Sequence, residues 1–213
     1  CHRTYDQVPF PETHNSFSTH EDNIYYPASN HLTGFQAQWN AGMRAFMLDT
    51  HYLTAADKSE SNVRFCHGNS NEVFSPCTYG AVDPLNWLSK LESEMEDEDR
   101  DIVTLLIENY VEPAHLKTVL DDAGLSDMMY VHDMNTEWPT LIELINMEKR
   151  LVVFWEQSGD SEHPYFHDFL EFGWTTDYAN DDTGSMDCDP HRGDSNQPVY
   201  HMNNWLKNQA GLS

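Results

Sequence analysis

Basic residues are scarce in this chain. Eleven lysines and arginines stand against thirty-six aspartates and glutamates, which gives a formal net charge of -25 at pH 7. A surface of this sign repels nucleic acid and anionic membrane surfaces, because both carry dense negative charge. The composition therefore predicts no nucleic-acid partner. It is typical of a solvated acidic surface, with a general affinity for divalent cations as the alternative.

Long apolar segments are also missing. No run approaches the roughly 18 apolar residues that a membrane-spanning helix requires. The start of the chain shows no basic segment followed by an apolar one, as a secretory leader would. We therefore expect a soluble, already processed chain that has no transmembrane segment and is a monomer.

Cysteine is limited to four residues, and an even number is compatible with disulfides. No two cysteines are separated by the two to four residues typical of zinc ligands, so a zinc site is disfavoured. Cys66 and Cys77 enclose a segment rich in Gly, Asn, Ser and Pro, where a bridge closes easily, and we expect this pair to bond. Cys1 is then left with Cys188. Such bridges predict an oxidising, extracellular location, whereas four unpaired thiols are the alternative.

Short apolar runs alternate with amphipathic helices along the chain, a rhythm typical of a parallel α/β sheet. The 213 residues suffice for one domain with a substantial core, although they are few for a complete eight-unit barrel. Strands are expected at residues 8–10, 44–48, 63–66, 102–107, 151–154 and 199–202, with a further short one at 128–131. Helices are expected before Gly42, from Asp83-Pro84 to about residue 95, from Pro113 to Gly124, and from Pro139. Residues 158–198, rich in Gly, Asp and Asn, are predicted to form loops with one irregular strand at most.

Polar residues follow many of these predicted strands, and in a closed barrel such residues converge on one mouth. They are His14, Asp49, His67, Glu108, Glu156 and Asn203. Histidine titrates near neutral pH, so one imidazole can accept a proton from an attacking hydroxyl while the other protonates the leaving oxygen. The pair formed by His14 and His67 therefore indicates acid/base chemistry, whereas the remaining histidines are expected to be structural.

Positive charge for a phosphoryl group has two candidate sources. One is Arg44. The other is a hard cation held by oxygens of Asn15, Asp49 and Glu108, a set that suits calcium, with magnesium as the alternative. Trp155, Trp174 and Trp205 are candidates for an aromatic mouth, although packing in the core is the more common role for tryptophan. Glu156, Trp155 and Asn203 are the candidate substrate-binding residues.

Six segments occur in a specific order along the chain. They are Cys1-His2-Arg3-Thr4-Tyr5, Thr13-His14-Asn15-Ser16, Gly42-Met43-Arg44-Ala45-Phe46-Met47-Leu48-Asp49, Cys66-His67-Gly68, Ile107-Glu108-Asn109-Tyr110 and Arg150-Leu151-Val152-Val153-Phe154. In this order and spacing they resemble the X-domain of phosphatidylinositol-specific phospholipases C. The chain is more similar to the secreted phospholipase C-like phosphodiesterases that contain this domain. Each motif is short, but together they cover nearly the whole chain.

The resemblance implies a fold, a chemistry and a set of residue roles. The fold would be a distorted or incomplete (β/α) barrel of the TIM type, forming a single catalytic domain over residues 1–213. His14 and His67 would match the general base and the general acid, and Arg44 the motif arginine. Asn15, Asp49 and Glu108 would match the ligands of Ca²⁺.

Three features depart from that family pattern. Met47 occupies the place of a glutamate ligand, and a thioether is a poor partner for a hard cation. Glu156 lies at the end of a predicted strand where the inositol-lipid enzymes have a lysine. A polyphosphorylated headgroup would therefore meet an acid at this position. No eighth strand is recognisable after Met202.

The preferred interpretation is a secreted, metal-dependent phosphodiesterase that cleaves a phospholipid or glycerophosphodiester type of substrate. In this mechanism a neighbouring substrate hydroxyl attacks phosphorus, His14 accepts its proton and His67 protonates the leaving group. The alternative is a non-catalytic ligand- or calcium-binding module on the same barrel. A third interpretation is glycerophosphodiesterase-like hydrolysis, which forms no cyclic phosphate.

Overall fold

Nine strands and five helices make up the described part of the chain. The computed structural model describes residues 2–22, 24, 29–67, 76–156, 162–178, 180–204 and 206. The strands are β1 Glu12–Thr13, β2 Ala45–Tyr52, β3 Val63–Phe65, β4 Val103–Asn109, β5 Leu151–Glu156, β6 Phe166–Asp168, β7 Gly173–Thr175, β8 Arg192–Gly193 and β9 Val199–His201. The helices are α1 Phe35–Asn40, α2 Pro84–Asp97, α3 Pro113–Asp122, α4 Leu141–Asn146 and α5 Phe169–Phe172. Short 3₁₀ turns occur at Tyr5–Gln7, Glu60–Asn62, Pro76–Tyr79 and Ser126–Met128.

The main sheet is mostly parallel. Its strands follow the order β1-β2-β4-β5-β6, and each neighbouring pair in this series is parallel. β3 pairs antiparallel with the end of β2. Parallel neighbours need crossover connections, which α2 provides between β2 and β4 and α3 and α4 provide between β4 and β5. The α/β class expected from the alternating pattern is confirmed.

A second, three-stranded sheet has the order β8-β7-β9. In the described part of the chain the two sheets are separate hydrogen-bonded ladders, so the closed TIM-type barrel stays a prediction. A side-chain contact connects their nearest strands: Nε2 of His201 on β9 lies 2.8 Å from Oε1 of Glu12 on β1.

Two apolar clusters cover the two faces of the main sheet. The larger cluster joins β2, β4 and β5 to α1, α2 and α3, and includes Trp39, Leu48, Trp87, Leu91, Leu105, Leu120 and Trp155. The smaller cluster lies on the opposite face and includes Tyr5, Met47, Leu106, Trp138, Leu144, Phe154 and Phe169. Successive strand residues alternate between the clusters, as the two-residue period of a strand requires.

The helix boundaries follow from the capping residues that the sequence provides. The Asp83 carboxylate accepts the backbone N–H of Leu85 at 3.0 Å, and Pro84 occupies the first turn of α2. Gly124 takes a positive φ of 79° directly after the end of α3, a conformation that glycine adopts at little cost. Thr140 and Glu143 form a capping box at the start of α4. The predicted positions of these helices are confirmed. Along α2, Leu88, Leu91 and Met95 are buried, whereas Leu85 is exposed.

Three local predictions are wrong. Residues 8–10 form no strand, and the first strand is instead Glu12–Thr13, just before His14. Residues 128–131 make only an isolated bridge, between Met129 and Leu151. The segment predicted as loops contains β6, α5, β7 and β8, because strands of two or three residues are stabilised by pairing with distant strands and have no recognisable period of their own.

No helix in the described ranges is both long and apolar enough to cross a bilayer.

His167, on β6, is buried and uses both of its ring nitrogens. Nδ1 lies 2.8 Å from the carbonyl oxygen of Val153, and Nε2 accepts the backbone N–H of His132 at 2.9 Å. These bonds require the neutral ring with its proton on Nδ1. Burial, opposed in part by the bond to the Val153 carbonyl, lowers the pKa of His167 from 6.5 to about 4.

Acid should therefore destabilise the fold as the pH falls from 6.5 to about 4. In this window the unfolded chain binds a proton on His167 that the folded protein does not, which costs up to about 1.4 kcal/mol of stability per pH unit. We expect His167→Asn to reduce the pH dependence of the unfolding free energy, measured by urea titration across this range. His2→Asn, which removes an exposed histidine, should leave the wild-type slope unchanged. Equal slopes for His167→Asn and the wild type would contradict the assignment.

Candidate active site

Three rows of side chains cross the face of the sheet that carries the smaller cluster, here called the inner face. The strand register places Ala45 beside Thr104 and Val152, Met47 beside Leu106 and Phe154, and Asp49 beside Glu108 and Glu156. We call the last row the acid layer. It lies at the carboxyl ends of three adjacent parallel strands, where α/β sheets commonly bind ligands.

A tight turn after β1 brings His14 and Asn15 to the same end of the sheet. The backbone N–H of Ser16 bonds to the carbonyl of Met47 at 2.9 Å, which ties the turn to β2. Asn15 is fully buried with a positive φ of 48°, a conformation in which asparagine is several-fold enriched. Nε2 of His31 lies 2.7 Å from the carbonyl oxygen of His14 and fixes the other side of the turn.

His67 reaches the site from the segment after β3. The N–H of Cys66 bonds to the carbonyl of Asp49 at 3.3 Å, and the Cys66–Cys77 disulfide anchors the residue before His67. This bridge confirms the predicted pairing. Cys188 is exposed and forms no disulfide within the described residues, and the predicted bond to it from Cys1 lies outside them.

His67, Asp49 and Asn15 form one hydrogen-bonded cluster. Nδ1 of His67 lies 2.9 Å from Oδ2 of Asp49. The Asn15 amide satisfies both neighbours when its nitrogen donates to Asp49 Oδ1 at 2.9 Å and its oxygen accepts from His67 Nδ1 at 2.9 Å. These contacts place a proton of His67 on Nδ1 and fix the orientation of the ring through Asp49 and Asn15.

The two histidine rings lie close together. Their centroids are 6.3 Å apart and the ring planes are inclined by 72°. Burial and then the charge of His67 lower the pKa of His14 from 6.5 to about 4. His14 is therefore neutral at neutral pH, the form in which an imidazole accepts a proton.

The carboxylates of Asp49 and Glu108 sit side by side in the acid layer. Burial raises the pKa of Asp49. Burial, and then repulsion by Asp49, raise the pKa of Glu108, whose Oε1 accepts the hydroxyl of Tyr110 at 2.5 Å. The Tyr110 ring in turn stacks on His51 with 4.3 Å between centroids. The site therefore concentrates negative charge in a partly dry environment, which favours a cation.

Arg192, on β8, supplies positive charge that the sequence analysis missed. Its guanidinium forms an ion pair with Glu156, and its charge offsets a small part of the rise that burial and Asp49 cause in the pKa of Glu108. Nε of Arg192 is buried and makes no hydrogen bond in the described structure. The only sequence signal was an isolated arginine within an acidic, Gly-rich segment.

Arg44 does not lie at the site, so its predicted placement is corrected. It precedes β2, at the end of the strand opposite to Asp49, a separation of roughly 17 Å for five residues at about 3.3 Å each. Its guanidinium pairs with Asp101 at 2.6 Å and covers the ring of Trp39 at 3.6 Å. The motif arginine therefore supports the amino end of the sheet.

The predicted substrate-binding residues have three different locations. Glu156 lies in the acid layer. Trp155 is 2% exposed and stacks on Phe166 on the outer face, so it belongs to the core rather than to a mouth. The N–H of Asn203 donates to Thr176 Oγ1 at 2.9 Å, and Asn203 lines the cavity described below. Trp205 lies outside the described residues.

The donor set fits a hard cation by type. Asn15, Asp49 and Glu108 bring amide and carboxylate oxygens together, and the raised pKa values of the two acids reflect charge that a cation would relieve. Met47 lies one row below Asp49 and adds only a thioether. No group of three or more His, Cys, Asp and Glu side chains converges as a metal site in the described ranges. Calcium would thus have few protein ligands here, and this donor set does not match the ligands typical of a zinc site.

A cavity of about 850 Å³ extends from His14 beneath the acid layer. Its lining comes from the inner face of the main sheet, the segment before β1, α5 and β9. Its size is within the range of roughly 300–1,000 Å³ typical of small-molecule sites.

The family model described as PI-PLC X 1 matches residues 1–211 of the chain. The chain therefore belongs to the PI-PLC X domain family, which confirms the resemblance seen in the motifs.

Three curated relatives are similar to the chain. An uncharacterized secreted protein of Arthroderma benhamiae is 26% identical, covering 100% of this chain and 48% of its own length. A PI-PLC X domain-containing protein of Arabidopsis thaliana is 28% identical, covering 67% of this chain and 34% of its own length. PI-PLC X domain-containing protein 1 of A. benhamiae is 26% identical, covering 72% of this chain and 57% of its own length. The chain thus spans between about a third and somewhat over half of these relatives.

Proposed function

We propose that this domain is a phosphodiesterase that cleaves a phosphodiester by acid/base catalysis with two histidines. The observation that carries the proposal is the pair of rings of His14 and His67, whose centroids are 6.3 Å apart beside the acid layer, in which Asp49 is buried. Two imidazoles at this separation leave room for a phosphoryl group between them. Membership of the PI-PLC X domain family supports the same reaction class.

In the proposed reaction a hydroxyl of the substrate, or water, attacks phosphorus. Neutral His14 accepts the proton of the attacking hydroxyl, which its lowered pKa permits. In its doubly protonated form, with Nδ1–H held by Asp49, His67 donates the proton of Nε2 to the leaving oxygen and becomes the neutral Nδ1–H ring. Attack by an internal hydroxyl gives a cyclic phosphate, and attack by water does not, so the product distinguishes the two forms of the reaction.

Two sources of positive charge would stabilise the phosphoryl oxygens. Arg192, through its guanidinium, takes the role first assigned to Arg44. Asn15, Asp49 and Glu108 would hold Ca²⁺, or Mg²⁺, which when bound supplies electrostatic stabilisation of the phosphate.

We also propose that the protein is secreted. The Cys66–Cys77 disulfide is suited to an oxidising compartment, and one relative that matches the whole chain is named a secreted protein. The monomeric state remains a prediction of the sequence.

The first experiment tests catalysis itself. A panel of phosphatidylinositol, lysophosphatidylcholine, glycerophosphocholine and a chromogenic diester should include a substrate whose turnover follows a bell-shaped pH profile. His14→Ala and His67→Ala should each lose at least roughly 10²-fold in kcat. His20→Ala, outside the site, serves as the matched control, and melting curves report folding. If the wild type binds calcium but turns over no substrate, the binding-module alternative replaces the enzyme.

The second experiment tests the cation. With three protein ligands, calcium should bind with a Kd of roughly 10⁻⁴ to 10⁻³ M, and millimolar calcium should raise the melting temperature by mass action. Glu108→Gln should abolish this rise, whereas Glu96→Gln, on an exposed part of α2, should retain it. A melting curve that does not respond to calcium would leave Arg192 as the main charge partner.

The third experiment compares the two arginines. Arg192→Gln should reduce kcat by about 10²-fold, the usual effect of removing one donor that stabilises transition-state charge. Arg44→Gln should lower the melting temperature, because Asp101 loses its partner, but should leave kcat close to wild type. The opposite pattern would return the catalytic role to Arg44.

A further inference from the structure

The cavity next to His14 is a deep cleft that is partly open to solvent. Clefts of this kind are where proteins commonly bind small molecules. This cavity has a volume of about 850 Å³ and lies on the inner face, on the same side of the sheet as the acid layer. Small side chains at Ala45 and Thr104 form part of its wall and leave the space unfilled.

The lining changes from polar to apolar away from His14. At the polar end lie His14, Asn203 and the ion pair between Glu12 and His201. The remainder is mostly apolar and includes Phe10, Ala45, Leu106, Phe154, Phe169 and Val199.

Most polar groups that line the cavity are already bonded within the protein, although Oδ1 of Asp6 is buried without a hydrogen-bond partner in the described structure. The hydroxyl of Tyr5 lies 2.6 Å from Thr104 Oγ1, in a buried contact. Glu12 is paired with His201, whose pKa is lowered by burial but raised overall by that bond and by the charge of Glu12. Apart from the Asp6 carboxylate, the wall formed by Leu106, Phe154 and Phe169 offers a ligand apolar surface, and hydrocarbon gains most from such an environment.

An apolar path also leads from the cavity to solvent. Met202, in the lining, is 57% exposed, and Tyr200, also in the lining, is 53% exposed. A molecule with its phosphate between His14 and His67 could thus place an attached chain in the cavity without displacing a packed element. The net charge of -25 disfavours an additional anionic headgroup.

We propose that this cavity binds the hydrocarbon chain of a single-chain amphiphile whose phosphodiester occupies the site between the two histidines. The inference rests on the proposed function for the position of the phosphate. It predicts that the protein takes up individual amphiphile molecules into its interior, with a neutral or zwitterionic headgroup.

The test is equilibrium binding of alkylphosphocholines with chains of increasing length, each below its micellar concentration, followed by calorimetry. Affinity should rise about fourfold per methylene, the gain expected for transfer of one CH₂ from water, until the cavity is filled. Phosphocholine without a chain should bind weakly. An affinity that does not depend on chain length overturns the proposal.

Variants locate the chain within the protein. Ala45→Leu fills the cavity from β2 and should abolish the chain-length dependence, whereas Ala37→Leu, on the exposed side of α1, should preserve it. Should Ala45→Leu fail to fold, Val199→Phe fills the same space from β9. Chain-length dependence that persists in a folded cavity-filling variant would contradict this location.

His14→Ala and His67→Ala separate this proposal from the proposed function. Chain-dependent binding without any turnover by the wild type supports the cavity and rejects the enzyme. Turnover of a short chromogenic diester, with no effect of chain length on binding, supports the enzyme and rejects the cavity. In the histidine variants, loss of turnover with retained chain-dependent binding supports both.

Discussion

The carboxylate of Asp49 is the point on which the site depends. Its side chain bonds to His67 and to the Asn15 amide, and its own carbonyl accepts the N–H of Cys66. Three segments that are distant in sequence are thereby joined at the end of one central strand. Because Asp49 is only 2% exposed, loss of any of these donors would leave a buried acceptor unsatisfied. The positions of both catalytic candidates, His14 and His67, therefore depend on the hydrogen bonds that the Asp49 carboxylate accepts.

Much of the main sheet and its helices could be predicted because the sequence signals for these elements are local. The buried run of β4, the Asp83-Pro84 start of α2 and the Gly124 stop of α3 each depend on residues adjacent in sequence. The convergence of Asp49 and Glu108 was predictable too, since equivalent positions of adjacent parallel strands share an edge of the sheet.

The remaining features of the fold and the site depend on pairing between strands that are distant in sequence, which no local sequence pattern predicts. β8 has two residues and exists because β7 pairs with it, so Arg192 could not be placed at the site from the sequence. The predicted locations of Arg44 and Trp155 differ from the observed ones for a related reason. A shift of one residue along a strand moves a side chain to the other face of the sheet, and the end of the strand decides which edge of the sheet a residue occupies. Arg44 lies at the amino end, and Trp155 points away from the acid layer. The cavity is likewise a property of how two sheets are spaced, which composition does not encode.

The Cys66–Cys77 bridge has a consequence for how the site is assembled. It closes a segment with a sequence separation of only 11 residues, and short loops close with a small loss of chain entropy. Formation of this bond can thus precede the pairing of the distant strands. The residue before His67 is then fixed by a covalent event that depends on the redox potential of the surroundings. Under reducing conditions the proposed proton donor would lose this tether while the parallel sheet, built from other contacts, remained intact.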